Sequence, residues 1–286
     1  LFFSTPTRPT PIPLRLVGSE MCIRDSNSSL EQFRPCGKRL LGSEMRVPRL
    51  YFESALKIGS VIELDSDSTH YLSKVLRLKS TNQIKLFNGS EGEFLGSITA
   101  KSNDSMTVSV DSHVRKPVDD KIKFHLALAI TKGERMDYAI QKSVELGVFT
   151  ITPFFSAFSE VVIKDNKRAT NKLRHWRKVA LNASQQCERL SVPAIEEPTT
   201  FEDFIARDSK RVCVLLDNSG SKKLKEVSFE SDLILMVGPE GGFSSSELVT
   251  ARNKMIIATL GPRILRAETA PVTALSILQA EIGDLS

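Results

Sequence analysis

Four cysteines and four histidines in a chain of 286 residues are too few, and too scattered, for a metal framework. Cys22, Cys36, Cys187 and Cys213 form no C-x-x-C pair, so neither a zinc site nor a disulfide scaffold is expected, and a reducing cytoplasm is the expected compartment. Long apolar runs are also missing. No stretch approaches the roughly 20 residues needed to cross a bilayer, so no membrane association is expected, and no apolar core of a signal peptide is present. Charge of one sign is lacking too: 39 basic residues face 34 acidic ones, a net +5 that is compatible with a nucleic-acid partner without requiring one. Neither G-x-G-x-x-G nor the Gly-Lys-Ser/Thr ending of a P-loop occurs, which excludes the common dinucleotide and nucleoside triphosphate cradles.

What is present changes character along the chain. Residues 1–44 start without Met, carry the Pro/Thr-rich run STPTRPTPIP, and repeat Gly18-Ser19-Glu20-Met21 as Gly42-Ser43-Glu44-Met45. They are expected to be disordered and foreign to the native protein, with Met45 as its start. From 45 to 114 short alternating runs (VIEL, QIKLFNG, EFLGSIT, MTVSV) and the turn pair Asn88-Gly89 predict a small β-barrel. His70–Leu78 is the helix-like exception, with Leu72, Val75 and Leu76 at helical spacing. Residues 115–121 (RKPVDDK) are charged and unpatterned, and are expected to be a linker.

From 122 to 286 buried-strand runs alternate with helical patterns. FHLALAIT, FTITPFF, RVCVLLD, LILMVG and MIIATLG read as strands of a mainly parallel sheet with helices on both faces. Glu134–Glu145 is expected to be a helix burying Met136, Ile140 and Val144, ended by Gly147. Between about Thr170 and Glu188, Leu173, Trp176, Ala180, Ala183 and Cys187 step by three and four, leaving Arg174, Arg177, Lys178 and their neighbours on the outside. That basic face is either simply solvated or a phosphate-tracking edge. A last helix opens at Ala270-Pro271.

Two apolar runs end in irregular glycine-bearing loops: Gly238-Pro239-Glu240-Gly241-Gly242, and Leu260-Gly261 leading into Pro262–Ala270. In open α/β sheets, ligands bind outside the carboxyl ends of the strands, so these loops are the expected site. Pro239 removes a backbone donor and Glu240 adds negative charge, so a phosphate is a poor fit and a neutral or cationic ligand a better one. Ser244 and Glu247 have capping-box spacing, which starts a helix at about Ser245.

GPEGGFSSSE followed by LGPRILRAETA resembles the RsmE family of 16S ribosomal RNA uridine-N3 methyltransferases, of the SPOUT (α/β-knot) class. MRVPRLYF at Met45–Phe52, Ala183–Arg189 (AxxQxxR) and Lys142–Gly147 agree with it, although Cys187-Glu188 replace smaller residues and Ser143-Val144 replace Ala-Thr. The resemblance implies a trefoil-knotted, mainly parallel sheet preceded by a PUA-like RNA-binding domain. It implies S-adenosylmethionine as cofactor, held by Leu215, Leu216, Gly238, Glu240, Gly241, Gly242, Leu260, Gly261, Ile264, Leu265 and Arg266. It also implies 16S rRNA or the 30S subunit as partner, and a homodimer with Arg189 near the active site across the interface.

For methylation of uridine N3, whose imide proton must leave, a fixed cation is the simplest device, and Arg266 is the first candidate, Arg189 the second. Glu268 would act as general base or hold Arg266. Thr269 would meet a base edge, unless Glu268 and Thr269 only cap the last helix. Arg46, Arg49, Lys74, Arg77, Arg174 and Lys178 are candidates for RNA phosphates. Two other readings stand beside this one: an RNA-binding assembly protein without catalysis, and a nucleotide-dependent oxidoreductase, disfavoured by the missing G-x-G-x-x-G.

Overall fold

In the computed structural model, residues 47–102, 105–117, 122–159, 166–207, 211–229 and 232–285 are described. The expectations for residues 1–44, for Met45 and for Arg46 fall outside them, as does most of the expected linker.

Alternating apolar and polar residues build the first sheet. It comprises β1 (Arg49–Tyr51), β2 (Val61–Leu64), β3 (Gln83–Phe87), β4 (Glu93–Lys101) and β5 (Met106–Arg115), in the order β1-β3-β4-β5-β2. β1 runs parallel to β3 and the other pairings are antiparallel. Ile62, Leu64, Ile84, Leu86, Ile98, Met106 and Val108 point inward, one side of each strand, as period-2 patterning requires. Gly89, at φ +84°, makes the turn from β3 to β4. β5 includes Arg115, so the strand reaches into the segment expected as linker. The helix-like segment also departs from expectation. A short helix α1 (Ser66–His70), capped by Asp65, passes into a π-helical turn, Tyr71–Val75. The wider winding keeps Leu72 buried and turns Val75 and Leu76 out to solvent.

The second sheet is parallel throughout: β6 (Phe124–Ala129), β7 (Thr150–Phe155), β8 (Ala194–Ile195), β10 (Val212–Leu216), β11 (Lys222–Lys223), β12 (Leu233–Val237) and β13 (Ile256–Thr259), in the order β11-β13-β10-β12-β6-β7-β8, with β9 (Thr199–Thr200) also on β7. Successive side chains feed opposite cores. Leu126, Leu128, Leu233 and Leu235 pack with helices α2 (Glu134–Glu145), α3 (Asn166–Gln186) and α6 (Thr269–Ile282). Ala127, Ala129, Ile234 and Met236 pack with α4 (Phe201–Ala206) and α5 (Ser245–Arg252). This double burial explains why the strands read as continuous apolar runs, each Leu or Ile contributing about 1.5–3 kcal/mol. The expected stripe on α3 is buried at Leu173, Trp176, Ala180 and Ala183, whereas Cys187 lies just beyond the helix and is half-buried. α4, whose first turn Thr200 caps at Asp203, was not legible as a helix in the sequence analysis.

Candidate active site

The chain visits the sheet out of sequence order: β12 enters between β10 and β6, and β13 is added on the far side of β10. Leu216, the last residue of β10, therefore stands beside Val237, the last of β12, and beside Ala258 of β13. With neighbouring strands roughly 4.8 Å apart, the loops after these three strands leave the sheet from adjacent points.

Short hydrogen bonds at the strand ends fix each loop. After β10, Asp217 N–H bonds to Ala258 O (3.0 Å), and a Cβ on Gly220 would fall 2.7 Å from the Ala258 backbone. After β12, Gly242 N–H closes a tight turn on Pro239 O (2.9 Å). After β13, Thr259 Oγ1 accepts from Gly261 N–H (3.2 Å). The expected capping box at the start of α5 is formed: Ser244 Oγ accepts from Glu247 N–H (3.2 Å), and Glu247 Oε2 accepts from Ser244 N–H (2.7 Å).

The glycines divide into two kinds. A Cβ on Gly238 would lie 2.8 Å from the Phe243 ring, and one on Gly241 would lie 2.9 Å from Phe158 Cβ. These two are required by the protein's own packing. Gly242 (φ +71°) and Gly261 (φ +128°) instead have nothing within 4 Å of where a Cβ would stand. They combine left-handed backbone with open space, as a close-approaching ligand needs. Glu240 turns outward to an ion pair with Arg135 at the start of α2 (2.6 Å). Leu215 is fully buried in the core on the α4–α5 side, so only its backbone faces the loops, while Leu216, Leu260 and Leu265 are half-buried.

Ile264 is 86% exposed and the Arg266 side chain 82% exposed. Arg266 Nη1 stands 4.0 Å from Glu268 Oε1, and Glu268 Oε2 is buried without a hydrogen-bond partner. Glu268 makes no side-chain cap to α6, and Thr269 is already inside that helix, its carbonyl accepting from Thr273 Oγ1 (3.0 Å). The capping alternative for Glu268 is therefore not what the structure adopts.

Arg189 is not brought to these loops within one chain. Its guanidinium donates to Val144 O (3.0 Å) and Val148 O (2.8 Å), at the end of α2, where the chain turns to enter β7. That is the amino edge of the sheet, about 20 Å of strand away from the carboxyl ends. Of the candidates for RNA phosphates, Lys74, Arg77, Arg174 and Lys178 are exposed. Arg49 is a correction: its side chain is only 6% exposed, bonds to Glu93 (2.5 Å) and lies 3.6 Å over the Phe87 ring, so no phosphate can reach it.

The sequence pointed to the ends of β10, β12 and β13 and did not single out two side chains at the same end of the sheet. Arg135 follows β6, and Phe158, half-exposed against Gly241, follows β7. The rule that ligands gather at all carboxyl strand ends was the signal for both. A cavity of about 650 Å³ lies at the opposite, amino edge between His125, Thr150, Cys213 and Ile234. Among its polar groups, Thr152 donates to Glu196 (2.6 Å) and His125 Nδ1 is bonded to Thr150 Oγ1 (2.6 Å). Among the described residues no group of three or more His, Cys, Asp or Glu could hold a metal ion, and no helix is long and apolar enough to cross a membrane.

A parallel sheet in this order, with a loop cluster at its carboxyl ends and a PUA-like domain before it, defines an RNA methyltransferase of the SPOUT (α/β-knot) class. Residues 118–279 match the RNA methyltransferase domain family, and residues 64–111 match the RNA methyltransferase PUA domain. The ribosomal RNA small subunit methyltransferase E of Buchnera aphidicola subsp. Schizaphis graminum is 34% identical over 84% of this chain and 99% of its own, and that of Rickettsia conorii 33% over 81% and 95%. The chain belongs to the ribosomal RNA small subunit methyltransferase E family. Two solved structures are similar over their whole length and 84% of this chain. One is a Legionella pneumophila methyltransferase with bound S-adenosylmethionine (TM-score 0.80, 35% identity). The other is the Neisseria gonorrhoeae small subunit methyltransferase E bound to the same molecule (TM-score 0.78, 28% identity).

Proposed function

We propose that the protein methylates N3 of a uridine in 16S ribosomal RNA, with S-adenosylmethionine held by the loops after β10, β12 and β13, and that it works as a homodimer where ribosomal subunits are assembled. The observation that carries this reading is the alignment of three strand ends whose loops place Gly242 and Gly261 against open space. The residues present fit the cofactor. Leu216, Leu260 and Leu265 offer apolar surface to an adenine, and backbone groups around Gly238, Gly242 and Gly261 offer hydrogen bonds without a side chain in the way. When bound, the cofactor supplies an electrophilic methyl group on a sulfonium centre.

The chain's own residues do the rest. The uridine must be unpaired or turned out of its stack for N3 to be reached. Arg266, largely exposed beside the loop, stabilises the imide anion as the proton leaves. Glu268, with one buried oxygen unpaired, either takes that proton or aligns Arg266. Thr269, exposed at the head of α6, meets a base edge. Lys74 and Arg77 on the PUA-like domain, with Arg174 and Lys178 on α3, hold phosphates without reading sequence. Arg189 enters this scheme only from the second protomer.

The test is incubation of purified protein with S-adenosylmethionine and small ribosomal subunits, followed by nucleoside mass spectrometry. Appearance of 3-methyluridine supports the reading. A methyl group found on ribose or on carbon 5 refutes the N3 assignment, and calorimetry showing no S-adenosylmethionine binding refutes the site.

A further inference from the structure

Away from the loops lies a buried charged cluster that the reaction does not use. Glu93 at the start of β4 is fully buried and sits between two arginines. Arg49 donates to Oε1 (2.5 Å), while Arg115 reaches Oε2 (3.0 Å) and Oε1 (3.1 Å) in a fork. Burial alone would raise the Glu93 pKa, but the hydrogen bonds from Arg115 and Arg49 hold the carboxyl below its usual range.

The arginines have further donors, and these leave the PUA-like domain. Arg49 Nη1 bonds to Ser184 O (2.9 Å) and Arg49 Nη2 to Arg189 O, while Arg115 Nη2 bonds to Glu188 O (3.0 Å). All three carbonyls belong to the last turn of α3 and its exit, where helical carbonyls lack partners and the dipole favours cations. Glu188 holds a left-handed backbone there (φ +64°), which a non-glycine residue keeps only when its surroundings impose it. A second contact lies alongside: Gly89 in the β3–β4 turn faces Leu190 O and Ser191 at 3.4 Å from where a Cβ would be. Arg189 is thus held on its carbonyl by Arg49 and on its guanidinium by Val144 and Val148.

We propose that Arg49, Glu93 and Arg115 are positioning residues for RNA methylation: a clamp that fixes the PUA-like domain, and the segment carrying Arg189, relative to the sheet that carries the methyl-transfer loops. A buried ion cluster is a weak source of net stability compared with apolar packing, but forked arginine bonds define direction sharply. Glu93 is the keystone, because its carboxylate bonds to both arginines that reach the end of α3. RNA gripped by Lys74 and Arg77 would then meet the loops at a set offset, and loosening the clamp would weaken RNA engagement while leaving the cofactor site intact. The inference rests on the proposed function, since it assumes that RNA spans both regions.

The test uses the full chain with Glu93→Gln, Glu93→Asp and Arg115→Lys, the last at a partly exposed side chain that tolerates change. Methylation of small subunits should show KM raised about tenfold in Glu93→Gln and Arg115→Lys, with kcat and S-adenosylmethionine affinity within roughly twofold, and partial recovery in Glu93→Asp. Hydrogen exchange at amides 184–191 should quicken in Glu93→Gln, a readout that needs no activity. Unchanged exchange and unchanged KM in folded variants overturn the clamp, and so does parallel loss of cofactor affinity. If the wild-type protein fails to form 3-methyluridine while exchange still quickens, the proposed function fails and the mechanical clamp stands without its role in RNA methylation.

Discussion

Phe158 Cβ occupies the place beside Gly241 where a side chain would have to go, 2.9 Å from a Cβ built there. The glycine of the β12 loop is thus dictated by the loop after β7. Ala157 N–H is bonded to Glu247 Oε1 (2.9 Å), so the same acid that caps α5 also holds the residue preceding Phe158. Gly241→Val is expected to push the β12 loop off this surface and weaken S-adenosylmethionine binding by more than about tenfold, through displaced loop backbone and not through a side chain in ligand space. Gly242→Ala, with open space but φ +71°, is expected to lose about 1–2 kcal/mol to backbone strain. Calorimetry on both variants decides, and wild-type affinity in Gly241→Val would contradict the packing argument.

The Arg266 side chain is 82% exposed and makes only a long 4.0 Å contact with Glu268, so its removal should leave the fold alone. Arg266→Ala is expected to lower turnover by on the order of 10²–10³ while cofactor affinity changes only a few-fold. Single-turnover methylation alongside calorimetry checks both halves. Turnover within a few-fold of wild type would remove Arg266 from the mechanism.

Glu268 has two candidate roles that one variant separates. If it accepts the imide proton, Glu268→Gln should lower activity at neutral pH by about 10²–10⁴ and recover as alkali ionises the uridine itself. If it only aligns Arg266, which stands 4.0 Å away, the loss should be smaller and the pH profile should keep its shape.

His125 is expected to make folding sensitive to mild acid. Burial, then the nearby Arg211 charge, lowers its pKa despite the opposing pull of Asp232 and Glu196. An unfolded imidazole titrates near about 6.5. Below that value the unfolded chain binds a proton that the folded chain resists, so stability falls with pH until the folded pKa is passed. Thermal melts should therefore drop as the pH falls below about 6.5, and His125→Gln should flatten that part of the curve. The paired Glu93 and the hydrogen-bonded Glu91, both held below their usual range, lose their contribution only in more acidic solution. An identical slope in wild type and His125→Gln would exclude His125 as the cause.

Much of the fold could be read in advance where the physics is local. VIEL and LILMV become strands at Val61–Leu64 and Leu233–Val237 because four or five consecutive positions repeat one burial rule. Glu134–Glu145 is a helix with Met136, Ile140 and Val144 buried, and Ser244 and Glu247 meet as their spacing demands. The π-helical turn was not legible, since Leu72, Val75 and Leu76 suit an ordinary helix equally well and only packing chose the wider winding. Arg49 was misread for a related reason. An arginine directly after Pro48 looks like surface charge until Glu93, far along the chain, closes over it.

By itself the sequence determined most of the strands and the longer helices, and that two of the runs end in glycine-bearing loops, because hydrophobic period and turn chemistry act between near neighbours. Only the tertiary structure decided which strand ends stand together, which glycines face open space and which face Phe243 or Phe158, and that Arg49 and Arg189 are held at α3 and α2, away from the loops. Those choices depend on strand order and on contacts between residues distant in sequence, which no local pattern encodes.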